Sequence, residues 1–159
     1  MGITDPTTTQ RQPPAEVVGL DTTRMAGLGD YLRDLKRKER SDVLVAVTHT
    51  GITVSGQIAR EHPELDVVMS GHTHERTEHP ILEGHVIVVE PGSMGSFLGR
   101  LDLAIENGNV TVDAFELIPI RASEVPEDPA VKRLVEKAIQ PFRAHERGHL
   151  EIGGTSASL

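Results

Sequence analysis

Two apolar, valine-rich runs, residues 43–47 and residues 67–69, stand apart by enough chain for a single helix, and each leads directly into histidine and glycine. The first continues as Thr48-His49-Thr50-Gly51 and the second as Ser70-Gly71-His72-Thr73-His74. A continuous run of this kind is the pattern of a strand buried on both faces, which belongs in a parallel sheet of an α/β protein. Parallel neighbours need a crossover connection, and residues 54–61 read as its helix, so the stretch is a βαβ unit. Both strands therefore deliver imidazole at their exits. In extended chain the side chains at i and i+2 share a face, so His72 and His74 can reach into one site and still address different metal ions. This is the pattern of a dinuclear metal site, or of half of one.

The remaining composition narrows the chemistry. With 159 residues, 37% hydrophobic and 25% charged, the chain has the make-up of a soluble globular domain with a proper core. A formal net charge of -8 argues against binding a nucleic acid duplex by phosphate neutralisation. The basic stretch at 33–40 mixes in Asp34 and Glu39, as a solvated helix face does. Cysteine is absent, so disulfides and thiol catalysis are excluded and any metal must be held by His, Asp, Glu or Asn. Neither a signal peptide nor an apolar run of membrane-spanning length is present, which leaves the compartment open and gives no membrane partner.

Along the chain, residues 1–4 read as the end of a strand. Asp5-Pro6-Thr7-Thr8-Thr9 and Pro13-Pro14 predict a long irregular surface connection. Over residues 25–39, Leu28, Tyr31, Leu32 and Leu35 recur at helical spacing, which predicts an amphipathic helix covering a sheet. Residues 86–89, 98–105 and 110–117 read as strands, with Asn107-Gly108 as a tight hairpin turn, making the second half an antiparallel addition to the sheet system. Asp128 is placed as an N-cap with Pro129 at the first helical position. Val131, Leu134, Val135 and Ala138 form that helix's apolar side, and Pro141 is expected to end or kink it. The expected organisation is a domain at 1–120, a linker helix at 121–147 and a disordered tail at 148–159.

Three stretches, in order, carry a resemblance: Thr48-His49-Thr50-Gly51, the Gly-His-Thr-His at 71–74, and Glu90-Pro91-Gly92-Ser93-Met94-Gly95-Ser96-Phe97-Leu98-Gly99-Arg100-Leu101-Asp102-Leu103. Together they resemble the C-terminal half of the calcineurin-like metallophosphoesterase domain, within the 5'-nucleotidase and 2',3'-cyclic phosphodiesterase branch. The resemblance implies part of a four-layer α/β/β/α sandwich with a further domain beyond the C-terminal helix. It also implies hydrolysis of a nucleotide or other phosphoester with two divalent ions, drawn from Zn, Mn, Fe, Co or Ca. On that pattern His49 and His72 bind one ion, His74 binds its neighbour, and Arg76 faces a substrate phosphate. Gly51 and Gly71 turn the backbone sharply beside the ions, while Gly92, Ser93 and Gly95 form a tight loop near the site. Members of the family are often periplasmic or extracellular.

The departures shape the functional expectation. The family's Asp-x-His, Gly-Asp-x-x-Asp and Gly-Asn-His-Glu or Gly-Asn-His-Asp elements do not occur in these residues, so the bridging carboxylate and the leaving-group histidine have no counterpart. No catalytic residue is identified in the chain itself. The expectation is weak, single-metal binding, little activity in isolation, and self-association or completion by the missing N-terminal half of the domain. The alternatives are a noncatalytic fragment or half-site subunit that needs a partner, and a thiosulfate-processing hydrolase of the same superfamily. His62, His79, His85, His145 and His149 read as ordinary surface histidines. Asp66 reads as a residue entering a strand and Asp102 as an outward position of one.

Overall fold

Strand β2 (Val45–His49) alternates in burial: Ala46 and Thr48 point inward, while Val47 is 55% exposed. In β3 (Val67–Ser70), Val67, Val68 and Ser70 are buried but Met69 is 43% exposed. The expectation of strands buried on both faces therefore fails at Val47 and Met69. The cause is that one face of the sheet is only partly covered. The computed structural model describes residues 1–20, 22 and 27–143, and the chain divides into two compact units, Met1–Ile120 and Arg121–Leu159.

In the first unit a five-stranded sheet has the order β1-β2-β3-β5-β4, where β1 is Gly2–Thr4, β5 is Val86–Val89 and β4 is Ile81–Glu83. Strands β1, β2, β3 and β5 run parallel, and β4 closes one edge antiparallel to β5. Helix α3 (Ile52–Glu61) makes the crossover between β2 and β3, so the βαβ reading holds. The helix starts before residue 54 because Gly51, at φ 81° and ψ 158°, breaks the strand and the backbone N–H of Ile52 donates to Thr73 Oγ1 at 3.2 Å.

Helix α2 (Leu28–Glu39) lays its apolar stripe on the same side. Leu32 is fully buried and Leu28 and Leu35 pack beside Ala46, Ile58, Val68, Val86 and Val88. Tyr31, assigned to that stripe from spacing, is instead 55% exposed. The Asp66 carboxylate accepts the Leu44 N–H at 2.7 Å and lies 3.4 Å from Lys36 Nζ, pinning the start of β3 to the start of β2.

The other face carries the hairpin β6 (Phe97–Glu106) and β7 (Asn109–Pro119), a two-stranded sheet of its own. Asn107 at φ 51° and Gly108 at φ 81° make the tight turn expected of Asn-Gly. Val67, Ile87, Val89 and Val110 form the core between the sheets, with Leu101, Leu103 and Phe115 against them. Helices, sheet and hairpin thus form three layers in this unit. The second half is not a simple antiparallel addition, however: β5 joins the main sheet in parallel, and β4 was not anticipated. A three-residue edge strand has too little pattern to register locally.

The connection after β1 is also more regular than its prolines suggest. Asp5 Oδ1 accepts from the Thr7 N–H and Thr7 hydroxyl, both at 2.8 Å, and this turn launches the short helix α1 (Thr8–Arg11). A 3₁₀ turn at Pro14–Glu16 follows.

In the second unit, α4 (Pro129–Ile139) is capped by Asp128 Oδ1, which accepts from Ala130 N at 2.7 Å and Val131 N at 3.0 Å. The helix stops before Pro141 as expected. Val131, Leu134 and Val135 are exposed in it. The anticipated tail at 148–159 lies outside the described residues. Among the described residues no helix is long and apolar enough to cross a membrane.

Candidate metal centre

Strand register builds the site. Thr48 lies opposite Ser70 in adjacent parallel strands, so the chain leaves β2 and β3 at the same sheet edge and both histidine-bearing segments emerge together. His49 Nε2 lies 3.1 Å from His72 Nδ1, with the rings 4.7 Å apart between centroids and inclined at 69°. Two imidazole nitrogens bound to one zinc ion at ~2.0–2.1 Å in a tetrahedral arrangement sit roughly 3.3 Å apart. The separation of the two nitrogens is close to that of a pair sharing one ion. Among the described residues no group of three His, Cys, Asp or Glu side chains is gathered to hold a metal, so the structure brings His49 and His72 together and does not join His74 to them.

The segment bearing His72 and His74 is not extended. Strand β3 ends at Ser70, and His72 adopts φ 102° and His74 φ 61°, backbone that non-glycine residues seldom enter. Such positions cost about 1–3 kcal/mol each and persist where surrounding structure holds them. The two imidazoles are thus presented by a strained turn rather than by strand alternation. Gly51 explains part of its shape: at φ 81° it is itself left-handed, and a Cβ there would lie 2.6 Å from Thr73 Cγ2. Gly71 is different, since its φ is not positive and a Cβ would meet Thr48 O at an ordinary 3.7 Å.

Arg76 forms an isolated antiparallel bridge with Pro91, and its guanidinium sits 5.0 Å from the Phe97 ring centroid. Its Nη2 is 2.5 Å from Glu78 Oε1 on the exposed surface. Gly92, Met94 and Gly95 all have positive φ, making the tight loop expected after β5. His79 and His85 are exposed and His62 is half-buried at the end of α3, whereas His145 and His149 lie outside the described residues.

Two carboxylates at the site escaped the sequence reading. Asp5 is buried and its Oδ2 lies 3.7 Å from His72 Nε2, while Arg11 Nη1 is 3.4 Å from both atoms. The Thr7 backbone N–H and hydroxyl hold the Asp5 carboxyl below the usual carboxylate range, helped by Arg11 and His72 and opposed by burial. The Asp-Pro-Thr turn was readable, but its location was not. Thr4 pairs with His49 across β1 and β2, and only that register brings Asp5 to the histidines. The second carboxylate is Glu90, fully buried where β5 ends; a glutamate closing an apolar strand gives no local sign of burial.

No protein-family model matches the chain. It is 24% identical over 166 residues to a 5'-nucleotidase of Vibrio cholerae, covering 76% of this chain and 29% of that protein. It is 27% identical over 139 residues to the trifunctional nucleotide phosphoesterase YfkN of Bacillus subtilis, covering 84% of this chain and 9% of that protein. The chain thus spans well under half the length of these relatives. Among solved structures, the sulfate thiohydrolase SoxB of Thermus thermophilus superposes with a TM-score of 0.84 at 24% identity, covering 91% of this chain and 27% of that one. The calcineurin-like phosphoesterase YfkN of Bacillus subtilis follows the same fold with a TM-score of 0.60 at 18% identity, covering 95% of this chain and 52% of that one. With two histidine-bearing parallel strands meeting at one sheet edge, the chain is similar in sequence to these nucleotide phosphoesterases and shares the fold of the calcineurin-like phosphoesterases.

Proposed function

We propose that this chain forms the C-terminal half of the catalytic domain of a metal-dependent phosphoester hydrolase of the 5'-nucleotidase type, acting on a nucleotide or cyclic nucleotide. The observation that carries the reading is the 3.1 Å approach of His49 Nε2 to His72 Nδ1. On this reading His49 and His72 would hold one divalent ion, and His74 would be a ligand of a second. Bound there, divalent ions neutralise charge on phosphoryl oxygens and lower the pKa of water for attack on phosphorus. The residues of this chain orient the site. Asp5 brings negative charge to the far edge of the His72 ring, and Arg11 beside it offers a donor to an anionic substrate. Arg76, steadied on the Phe97 ring, exchanges its exposed Glu78 partner for a substrate phosphate.

The bridging carboxylate and leaving-group histidine of the family have no counterpart here, so on this reading they come from the other half of the domain. The uncovered part of the sheet supports the need for a partner. An apolar groove of about 680 Å³ runs between Ile3, Val47 and Met69 on the sheet and Leu101 and Phe115 on the hairpin, and His49 borders it. Apolar surface of this kind in central strands favours self-association or a covering partner. A second reading, hydrolysis of a sulfur–sulfur linked sulfate, is favoured by the fold likeness to the thiohydrolase. The test is to assay the purified chain with AMP, a chromogenic phosphodiester and a thiosulfonate in added manganese or zinc. Little or no turnover is expected alone, with phosphoester turnover appearing when a segment carrying the three missing motifs is supplied. Turnover by the isolated chain that vanishes in His72→Ala would show those motifs to be dispensable, and activity confined to the thiosulfonate would select the second reading.

A further inference from the structure

We propose that Glu90 is the positioning residue of the histidine turn: its buried carboxylate holds the strained backbone at His72 and His74 and, through a chain of hydroxyls, orders both flanks of His49. The proposal rests on reading His49 and His72 as metal ligands. Anchored and strained positions alternate along the turn. Ser70 donates its hydroxyl to Glu90 Oε2 at 2.7 Å, just before His72 at φ 102°. Thr73 then donates to the two carboxylate oxygens at 3.3 and 3.4 Å. His74 follows at φ 61°, and the Glu75 N–H donates to Oε1 at 3.1 Å. Each histidine in unfavourable backbone is thereby clamped on both sides by a group tied to one carboxylate.

The second arm reaches β2. Ser70 has a single hydroxyl proton, and it goes to Glu90, so Ser70 accepts from Ser55 Oγ at 2.9 Å. Ser55 has committed its own proton to Ser70. Thr48 and Thr50, at 2.7 and 2.9 Å from Ser55 Oγ, must therefore both donate to it. These two threonines flank His49. The chain of hydroxyls thus has one direction, ending on an acceptor-only group, and among the described residues no buried side-chain polar atom lacks a partner. Glu90 itself is held from behind: Thr77 Oγ1 accepts the Glu90 N–H at 3.0 Å, and Thr77 N and Oγ1 donate to the Glu90 carbonyl at 2.9 and 3.1 Å. Its partners through the carboxylate are hydroxyls and a backbone N–H rather than a cation, an arrangement suited to fixing geometry.

The critical comparison is Glu90→Gln, which keeps the volume but replaces one acceptor by an amide donor. That donor faces either the Glu75 N–H or the Ser70 hydroxyl, and in the second case Ser70 must turn its proton to Ser55 and Ser55 its own to one of the two threonines. Thr73→Val and Thr73→Ser form a second pair on an exposed residue, one losing the hydroxyl and one keeping it. Each variant of the full chain is titrated with cobalt(II) by visible absorption, its metal-free imidazole nitrogens are recorded by NMR, and its melting is followed. Glu90→Gln and Thr73→Val are expected to bind cobalt about tenfold more weakly, in line with outer groups that orient metal ligands. They should also displace the His49 and His72 ring signals while Thr73→Ser matches the parent. If Glu90→Gln does not fold, the Thr73 pair decides. Unchanged cobalt affinity and ring signals in both altered variants, with affinity lost in His72→Ala, would overturn the role of Glu90 and leave the ligand reading standing. Full cobalt affinity in His72→Ala would overturn the ligand reading instead, and the ring signals would then decide the role of Glu90.

Discussion

His49 Nε2 and His72 Nδ1 stand 3.1 Å apart at the exits of neighbouring parallel strands, although they are 23 positions apart along the chain. Ligand sites of open α/β sheets gather at this carboxyl edge, where strands deliver side chains into loops. After exposure to zinc or manganese and dialysis, His72→Ala and His49→Ala should each retain far less metal than the parent chain, while His85→Ala, on an exposed position, should retain the parental amount. Equal loss in His72→Ala and His85→Ala would sink the assignment.

Gly51→Ala tests the packing of the histidine turn on the start of α3. Alanine would be forced into φ 81° and its Cβ driven to within 2.6 Å of Thr73 Cγ2, so denaturant unfolding should report a loss of about 1–3 kcal/mol. Adding Thr73→Ser removes the clashing methyl while keeping the hydroxyl that receives the Ile52 N–H. The double variant should therefore recover part of the loss, leaving the backbone strain. Strict additivity of the two changes would argue against this contact as the cause.

Asp66→Ala should destabilise the parallel sheet rather than the metal site. It removes the acceptor 2.7 Å from the buried Leu44 N–H, and an unsatisfied buried donor costs about 1–3 kcal/mol. Asp66→Asn, which retains an oxygen acceptor, should cost less. The comparison is made by urea denaturation, and a metal affinity that falls while stability is unchanged would contradict the structural role given to Asp66.

Helix α4 should respond to acid through its cap. The Val131 and Ala130 N–H groups hold the Asp128 carboxyl below its usual range. A carboxyl with a lowered folded-state pKa stabilises the helix above its ordinary value of about 3.9, and that contribution is lost as pH falls through the lowered one. Amide signals of Ala130 and Val131 should therefore lose their helical character at the acid end of a titration. In Asp128→Ala the weakening should already be present at neutral pH, and an identical acid response in that variant would remove Asp128 as its source.

Much of the polypeptide was legible locally. Valine-rich runs marked β2, β3 and β5; the Asn107-Gly108 pair marked the hairpin; and Asp128-Pro129 marked the start of α4, because periodicity, positive φ and capping are properties of a few consecutive residues. Histidines placed just past two such strands also pointed to the sheet edge. What the tertiary structure decided was which distant groups meet there. Pairing of Thr4 with His49 carries Asp5 and Arg11 to His72, and parallel pairing of β5 with β3 brings Glu90 under the turn. Val47 and Met69 read as core from their neighbours but remain partly uncovered, since burial depends on what is laid across the sheet. The same holds for the turn at His72 and His74, whose positive-φ backbone, uncommon outside glycine, is flanked by anchors at Ser70, Thr73 and Glu75 that reach Glu90 from another strand. Local pattern determined the elements and the chemistry at their ends; strand register, a long-range property, determined the site.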